Sequence, residues 1–381
     1  MTSRRVPLKD QLFNRDKVTA VATRIAGVHP PFERQRFVDE VMSRLGELEL
    51  KQRITWIAQC LDGHLPADYR AAVDVLLRSL PAACDPTRSD GDFGDFIYAP
   101  YSEYVVRHGC AAGDLDFSLD ALKEITTRFS AEDAIRTFIN AYPAHTLGTL
   151  MKWTSDPHYH VRRLCSEGTR PRLPWARRLS VPTTAGLPIL DQLFADPTRF
   201  VTRSVANHLN DIAKTDPDTV VATLQRWKRS NRQRPRDMEF IVRHATRSLV
   251  KVGDAGALAL LGIPTGQPDV RIRLRVPRHV ELDAALEFSL DLDSQRDTEA
   301  VVDYALHFQG PSGSLTGRKV YKLRRLVLPA GRHITITKRH MMRSGMTTRR
   351  LFPGRHEIEI LVNGTSQARR TFWLRPSATE D

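Results

Sequence analysis

The hydrophobic rhythm of this 381-residue chain changes once, near residue 262, and no other feature constrains its architecture as tightly. From Leu8 to about Leu261 apolar residues recur at helical spacing, as in Val18, Val21, Ala22 and Ile25, or Ala71, Val75, Leu76 and Leu80. Residues so spaced share one helix face, and strand-like alternation is almost absent. Pro30-Pro31, Pro66, Pro81, Asp85-Pro86, Gly109, Gly113, Pro143, Asp156-Pro157, Asp196-Pro197 and Asp216-Pro217 fall between the periodic stretches. This punctuation predicts short helices of about three turns. Past Gly262-Ile263-Pro264-Thr265-Gly266-Gln267-Pro268 the period drops to two. Alternating runs over 271–276, 286–292, 302–308, 319–328, 333–337, 356–362 and 371–374 read as seven strands. Two rhythms require two cores, and the length accommodates them.

The helical part repeats. Asp156-Pro157, Val161 and Arg163 recur 40 residues on as Asp196-Pro197, Val201 and Arg203, and a third copy keeps Ile241 and Arg243. That period lies beside the HEAT-type range, in which helix pairs bury their faces only against neighbouring pairs. The expected fold is multidomain, α then β: a right-handed α-solenoid of HEAT-like repeats over 1–262, a linker at 263–268, and an immunoglobulin-like β-sandwich over 269–376. The repeated valines and the Cys165/Val205/Ala245 positions read as packed faces. Arg163, Arg203 and Arg243 read either as a positive lining of one concave surface or as partners of the loop aspartates.

Charge supports a polyanionic partner. The net charge is +13, and 46 of the 57 basic residues are arginine, whose guanidinium pairs bidentately with phosphate. The excess is not uniform: residues 1–140 carry −3, 141–265 carry +9 and 266–381 carry +7. A positional excess of this kind predicts a nucleic-acid footprint on the later repeats and the sandwich. Within the sandwich, Arg318, Lys319, Lys322, Arg324 and Arg325 form one basic group; Lys338, Arg339, His340, Arg343, Arg349, Arg350 and Arg355 form another around the loop Met341-Met342-Arg343-Ser344-Gly345-Met346. That loop reads as a groove-contacting wedge with phosphate-binding cations, or as a solvated turn. Cys60, Cys84, Cys110 and Cys165 are dispersed, with neither a CxxC pair nor a histidine at zinc-site spacing, so reduced thiols and no metal or cofactor are expected. No apolar run approaches the roughly 20 residues of a membrane span. The N-terminal MTSRRVPLKDQLFN lacks an apolar targeting core, so a cytoplasmic, nucleoid-associated monomer is expected.

One segment departs from the polar economy of the repeat: Val161-Arg162-Arg163-Leu164-Cys165-Ser166-Glu167-Gly168-Thr169-Arg170-Pro171-Arg172-Leu173-Pro174-Trp175. Arg163 and Glu167 are i, i+4 on one helical face, and the later repeats replace Glu167 with Asn207 and Arg247. An acid in a basic stretch is either paired with Arg163 or Arg170, or aimed at something cationic. An extended loop then presents Trp175, either as an open π surface or as an anchor over the solenoid core. Glu132, after Phe129-Ser130-Ala131, reads from its position as favouring a helix N-terminus.

The run VRRLCSEGTRPRLPWA, the 40-residue helical repeat and the trailing sandwich together resemble the AlkC branch of the AlkC/AlkD HEAT-like-repeat DNA glycosylases, in the form with a C-terminal immunoglobulin-like domain. The resemblance implies excision of cationic alkylated bases such as 3-methyladenine from double-stranded DNA, without base flipping, at the start of base excision repair; no lysine other than Lys152 lies near the motif, so a monofunctional enzyme without Schiff-base lyase activity is expected. It implies Glu167 and Glu132 as catalytic residues, and Trp175, Arg163 and Arg170 on the lesion side. Arg203, Arg243, Arg172, Arg318, Lys319, Lys338, Arg339 and Arg343 are the expected backbone contacts. The chemistry agrees: a cationic base leaves neutral and needs no general acid, while the sugar passes through an oxocarbenium-like state that a carboxylate stabilises. A non-catalytic HEAT-repeat scaffold for damaged or bent DNA would keep the arginines and have no use for Glu167; a protein-binding adaptor would need neither.

Overall fold

A computed structural model describes residues 6–88, 90–263, 269–346 and 349–376. From 264 onward the expected linker lies outside the described residues. The chain packs as two compact units, Met1–Ile212 with Ser230–Ile241, and Ala213–Arg229 with Val242–Asp381. Among the described residues no helix is long and apolar enough to cross a membrane.

The first unit is helical, and its helices end where the sequence punctuates them. Asn14 caps Arg15–Val28 by accepting from the Lys17 amide at 3.1 Å, and Asp68 caps Tyr69–Arg78 by accepting from Ala71 at 2.8 Å. Each such cap stabilises its helix by about 1 kcal/mol. Helices Leu115–Thr126, Ala134–Ala141, Pro143–Trp153, Tyr159–Gly168 and Arg199–Ile212 follow and carry the candidate site. The repeat positions behave as packed faces: Val161, Val201, Ile241, Cys165, Val205 and Ala245 are all buried. The loop aspartates Asp156 and Asp196 also repeat a role, each accepting from a cation about one repeat earlier, and Asp237 in the first turn of Pro235–Ala245 does the same. Lys123 meets Asp156 at 2.8 Å, Arg162 meets Asp196 at 2.6 Å and Arg199 meets Asp237 at 2.7 Å. The arginine that serves the loop aspartate is thus Arg162, not its neighbour Arg163.

The second unit joins the last helices to eight strands, β1 (Arg271–Arg275), β2 (His279–Glu281), β3 (Ala285–Asp293), β4 (Thr298–Gln309), β5 (Leu315–Leu328), β6 (His333–Met341), β7 (Gly354–Val362) and β8 (Thr365–Arg375). They form a three-stranded sheet, β1-β3-β6, and a five-stranded sheet, β2-β8-β7-β4-β5. One core draws on both, with Leu286, Phe288, Leu290 and Leu292 from β3 meeting Tyr304, Leu306, Ile358 and Phe372. The seven expected strands are present; β2 is additional, a three-residue strand paired parallel to β8. The loop after β6 corrects the wedge expectation: Met342 is 1% exposed and belongs to the core, and Ser344 bonds Asp283. Elsewhere in this unit Gly253 and Gly364, both at positive φ, meet backbone to backbone. A Cβ on Gly364 would collide with the Gly253 nitrogen and Cα.

Candidate active site

The helix Tyr159–Gly168 buries Val161, Leu164 and Cys165, which leaves Arg163 and Glu167 together on another face. Arg163 reaches across to the turn that precedes Ala134–Ala141. Its Nη1 donates to Glu132 Oε2 at 2.9 Å and to Ser130 Oγ at 3.2 Å, and Nη2 stands 3.8 Å from Glu167 Oε2. The guanidinium carbon lies 4.4 Å over the Phe200 ring, a cation–π contact in addition to its ion pairs. On the other side of Glu167, Arg170 Nη1 donates to Oε1 at 2.5 Å while Ser204 Oγ donates to Oε2 at 2.6 Å. Arg170 continues to Asp211, with Nε at 2.9 Å. The result is an alternating series Glu132, Arg163, Glu167, Arg170, Asp211, in which each guanidinium is shared by two acids.

The two candidate carboxylates differ in setting. Glu167 is buried, with both oxygens engaged. Burial pushes its carboxyl up, but Arg163, Arg170 and the bonds from Ser204 and Arg170 outweigh that and hold it below the ordinary glutamate value. The Glu132 side chain is 29% exposed and takes its bonds from Ser130 and Arg163 at Oε2 alone, leaving Oε1 without a partner among the described residues. Glu132 does not open the helix, as its position suggested. Ala134–Ala141 begins two residues later, and the carboxylate turns to Arg163 because a guanidinium outcompetes partial charges on backbone amides.

The segment after Gly168 is strapped down. Arg136, 1% exposed, donates to the carbonyls of Gly168 at 3.0 Å, Arg170 at 2.7 Å and Arg177 at 2.6 Å. Asn140 holds the Arg178 carbonyl and accepts from the Ser180 amide. Between these points Trp175 stands 89% exposed at φ 66°, in the left-handed region, with Arg172 exposed beside it. It does not cover the core as an anchor would.

The other expected residues are placed as follows. Arg203 pairs with Asp90, and Phe93 from the same segment packs edge-on against Phe200 at 5.1 Å. With Arg163 only 11% exposed and Arg203 paired, these two do not form a bare cationic lining. Arg243 lies in the second unit, where it lines a pocket with Arg247, Lys251, Lys322 and Arg325. There too, Arg318 bonds the buried Glu359 at 3.1 Å and Arg339 bonds Glu287 at 2.6 Å, whereas Lys319, Lys338 and Arg343 are exposed. Sequence reasoning did not single out Asp211, Ser204, Phe200 or Arg136. A signal existed: Arg170 to Asp211 spans 41 residues and Glu167 to Ser204 spans 37, close to one repeat, which sets the end of Tyr159–Gly168 and the turn after it against Arg199–Ile212.

Comparison with known proteins gives a consistent result. Residues 114–249 match the family described as DNA alkylation repair enzyme, and 271–376 match the C-terminal Ig-like domain of protein YhaZ. The chain is similar to the structure of Pseudomonas fluorescens alkylpurine DNA glycosylase AlkC bound to DNA containing an abasic site analog. The TM-score is 0.85 and the identity 34%, covering 97% of this chain and 100% of that one. Protein YhaZ of Bacillus subtilis is 29% identical over 361 residues, 93% of this chain and 96% of the relative.

Proposed function

This chain belongs to the AlkC family of DNA alkylation repair enzymes, and on that premise we propose that it is a monofunctional N-glycosylase that removes cationic alkylated bases, such as 3-methyladenine, from double-stranded DNA without flipping them. The observation that carries this reading is the pair of carboxylates sharing Arg163, one of them with an open oxygen.

An alkylated ring nitrogen makes the base a cation. When the C1′–N bond breaks, the electron pair leaves with the base, which departs neutral, and positive charge passes to the sugar. Glu132 Oε1 is the oxygen placed to meet that charge and to orient the water that adds at C1′, whose proton passes to the carboxylate or to solvent. Glu167, kept ionised by its two arginines, adds negative field and holds Arg163 in the orientation that leaves Oε1 open. Arg170 and Asp211 hold Glu167 in turn. Trp175 offers its ring to the sugar or to the cationic lesion. Arg172, Arg243, Lys319, Lys338 and Arg343 supply phosphate contacts, in keeping with the DNA in the AlkC relative's structure, and Arg203 joins them only by releasing Asp90.

The test is release of free 3-methyladenine from methylated duplex. Glu132→Gln should lower single-turnover excision about 100-fold, near the 2–4 kcal/mol that one preorganised electrostatic contact contributes, with duplex binding unchanged. A wild-type protein that binds duplex and releases no base would establish the scaffold reading instead.

A further inference from the structure

Outside the acid and arginine series, one polar cluster of the first unit has no part in the chemistry above. Ligand atoms of Cys84, Asp92 and His160 all lie within 4.8 Å of one another. His160 is 3% exposed, and its Nδ1 is 3.1 Å from the Thr126 carbonyl oxygen. A carbonyl only accepts, so Nδ1 carries the ring proton and Nε2 is a bare lone pair. That Nε2 is buried with no hydrogen-bond partner. Orphaned buried acceptors are rare. A histidine whose Nδ1 is fixed by a carbonyl while Nε2 stays open has the arrangement that metal-ligating histidines adopt. The Cys84 thiol has only a long bond to the Arg128 carbonyl, at 3.9 Å, and Asp92 keeps a 3.5 Å pair with Arg88 and accepts from the Gly94 amide at 3.2 Å.

We infer that Cys84, Asp92 and His160 form a zinc site. Thiolate, imidazole and carboxylate together suit Zn²⁺ rather than Mg²⁺ or Ca²⁺, with water completing a tetrahedron and the thiol proton passing to solvent. Ligands 2.0–2.3 Å from a common tetrahedral centre stand about 3.5 Å apart, so binding closes the triangle by roughly 1 Å. The consequence is local. Asp92 lies in the segment that also carries Asp90, the partner of Arg203, and Phe93, which packs on Phe200. His160 sits one turn before Arg163 on its helix. Zinc here would tie that segment to the helix of the candidate site, as a positioning element that contacts no substrate.

The full-length chain tests this without reference to excision. Titration with Co²⁺ should give a thiolate-to-metal charge-transfer band at one equivalent, displaced by Zn²⁺. Cys84→Ser should abolish the band, and Asp92→Asn should weaken Zn²⁺ binding by more than the roughly 10- to 100-fold that loss of an outer-shell partner costs, with circular dichroism confirming that both variants fold. Zn²⁺ should also shield Cys84 from alkylation, read peptide by peptide, while Cys110 reacts at its metal-free rate. Absence of the band in the wild-type chain, its persistence in Cys84→Ser, or equal alkylation of Cys84 with and without Zn²⁺ would each overturn the site.

Discussion

Trp175 carries two costs at once. A bulky residue at φ 66° is strained by about 1–3 kcal/mol, and its ring is left almost wholly in water. Neither cost repays itself in folding, which supports the proposed role of this residue in recognition. Trp175→Gly should therefore leave the melting temperature unchanged or higher, because glycine adopts positive φ freely, while excision falls at least about 10-fold. A lower melting temperature would return the ring to a structural role. His208 gives a second prediction at this scale. Burial drives its pKa from 6.5 to about 4, with the Ser166 carbonyl bond opposing that shift. Between those values the unfolded chain binds a proton that the folded chain refuses. The stability it contributes is full above pH 6.5 and is lost as pH falls toward 4. His208→Gln should reduce the fall of the denaturant midpoint across that window without removing it, because burial shifts His160 the same way. At this scale the sequence was partly legible: Arg163 and Glu167 are neighbours by helical arithmetic, but Glu132 reaches Arg163 across 31 residues, through a turn whose direction no local spacing encodes.

Among the elements, the strapped segment after Gly168 depends most on one residue. Arg136 satisfies three carbonyls from inside the protein, so Arg136→Met leaves all three short of a donor. A loss of about 3 kcal/mol is expected, together with faster amide exchange in residues 169–180 and a fall in excision, as the Trp175 loop loosens from the helix that follows Glu132. Unchanged exchange in 169–180 would mean that Asn140 alone holds the loop. Alternation sufficed for seven strands because each is long enough to show a face. It missed β2, whose His279-Val280-Glu281 presents one buried residue between two exposed ones, too short a pattern to tell from a turn. The methionine loop misled for a related reason. Met341 is exposed and Met342 is buried, and composition alone assigns both to the surface.

At the scale of the whole molecule, the +13 net charge divides into committed and available cations. Arg318 and Arg339 are held by Glu359 and Glu287, whereas Lys319, Lys338 and Arg343 are exposed on the same unit. Replacing those three by alanine should reduce the log–log salt slope of duplex binding by up to about 3 units, near 0.9 for each phosphate that is no longer neutralised, and alanine at Arg318 and Arg339 should change it less. An unchanged slope would place the binding surface elsewhere. The change of rhythm near residue 262 does foretell the passage from helices to strands. It does not foretell how the chain is parcelled, because residues from 242 onward pack with the strands. The contact of Gly253 with Gly364 ties the helical turns of that unit to its strands. Main chain meets main chain there, with no side chain to trim or swap in compensation. In chimeras between family members the heritable cassette is therefore the strands together with the helical turns before them. A graft cut at the proline-rich segment would bring together two backbones that had not diverged in step.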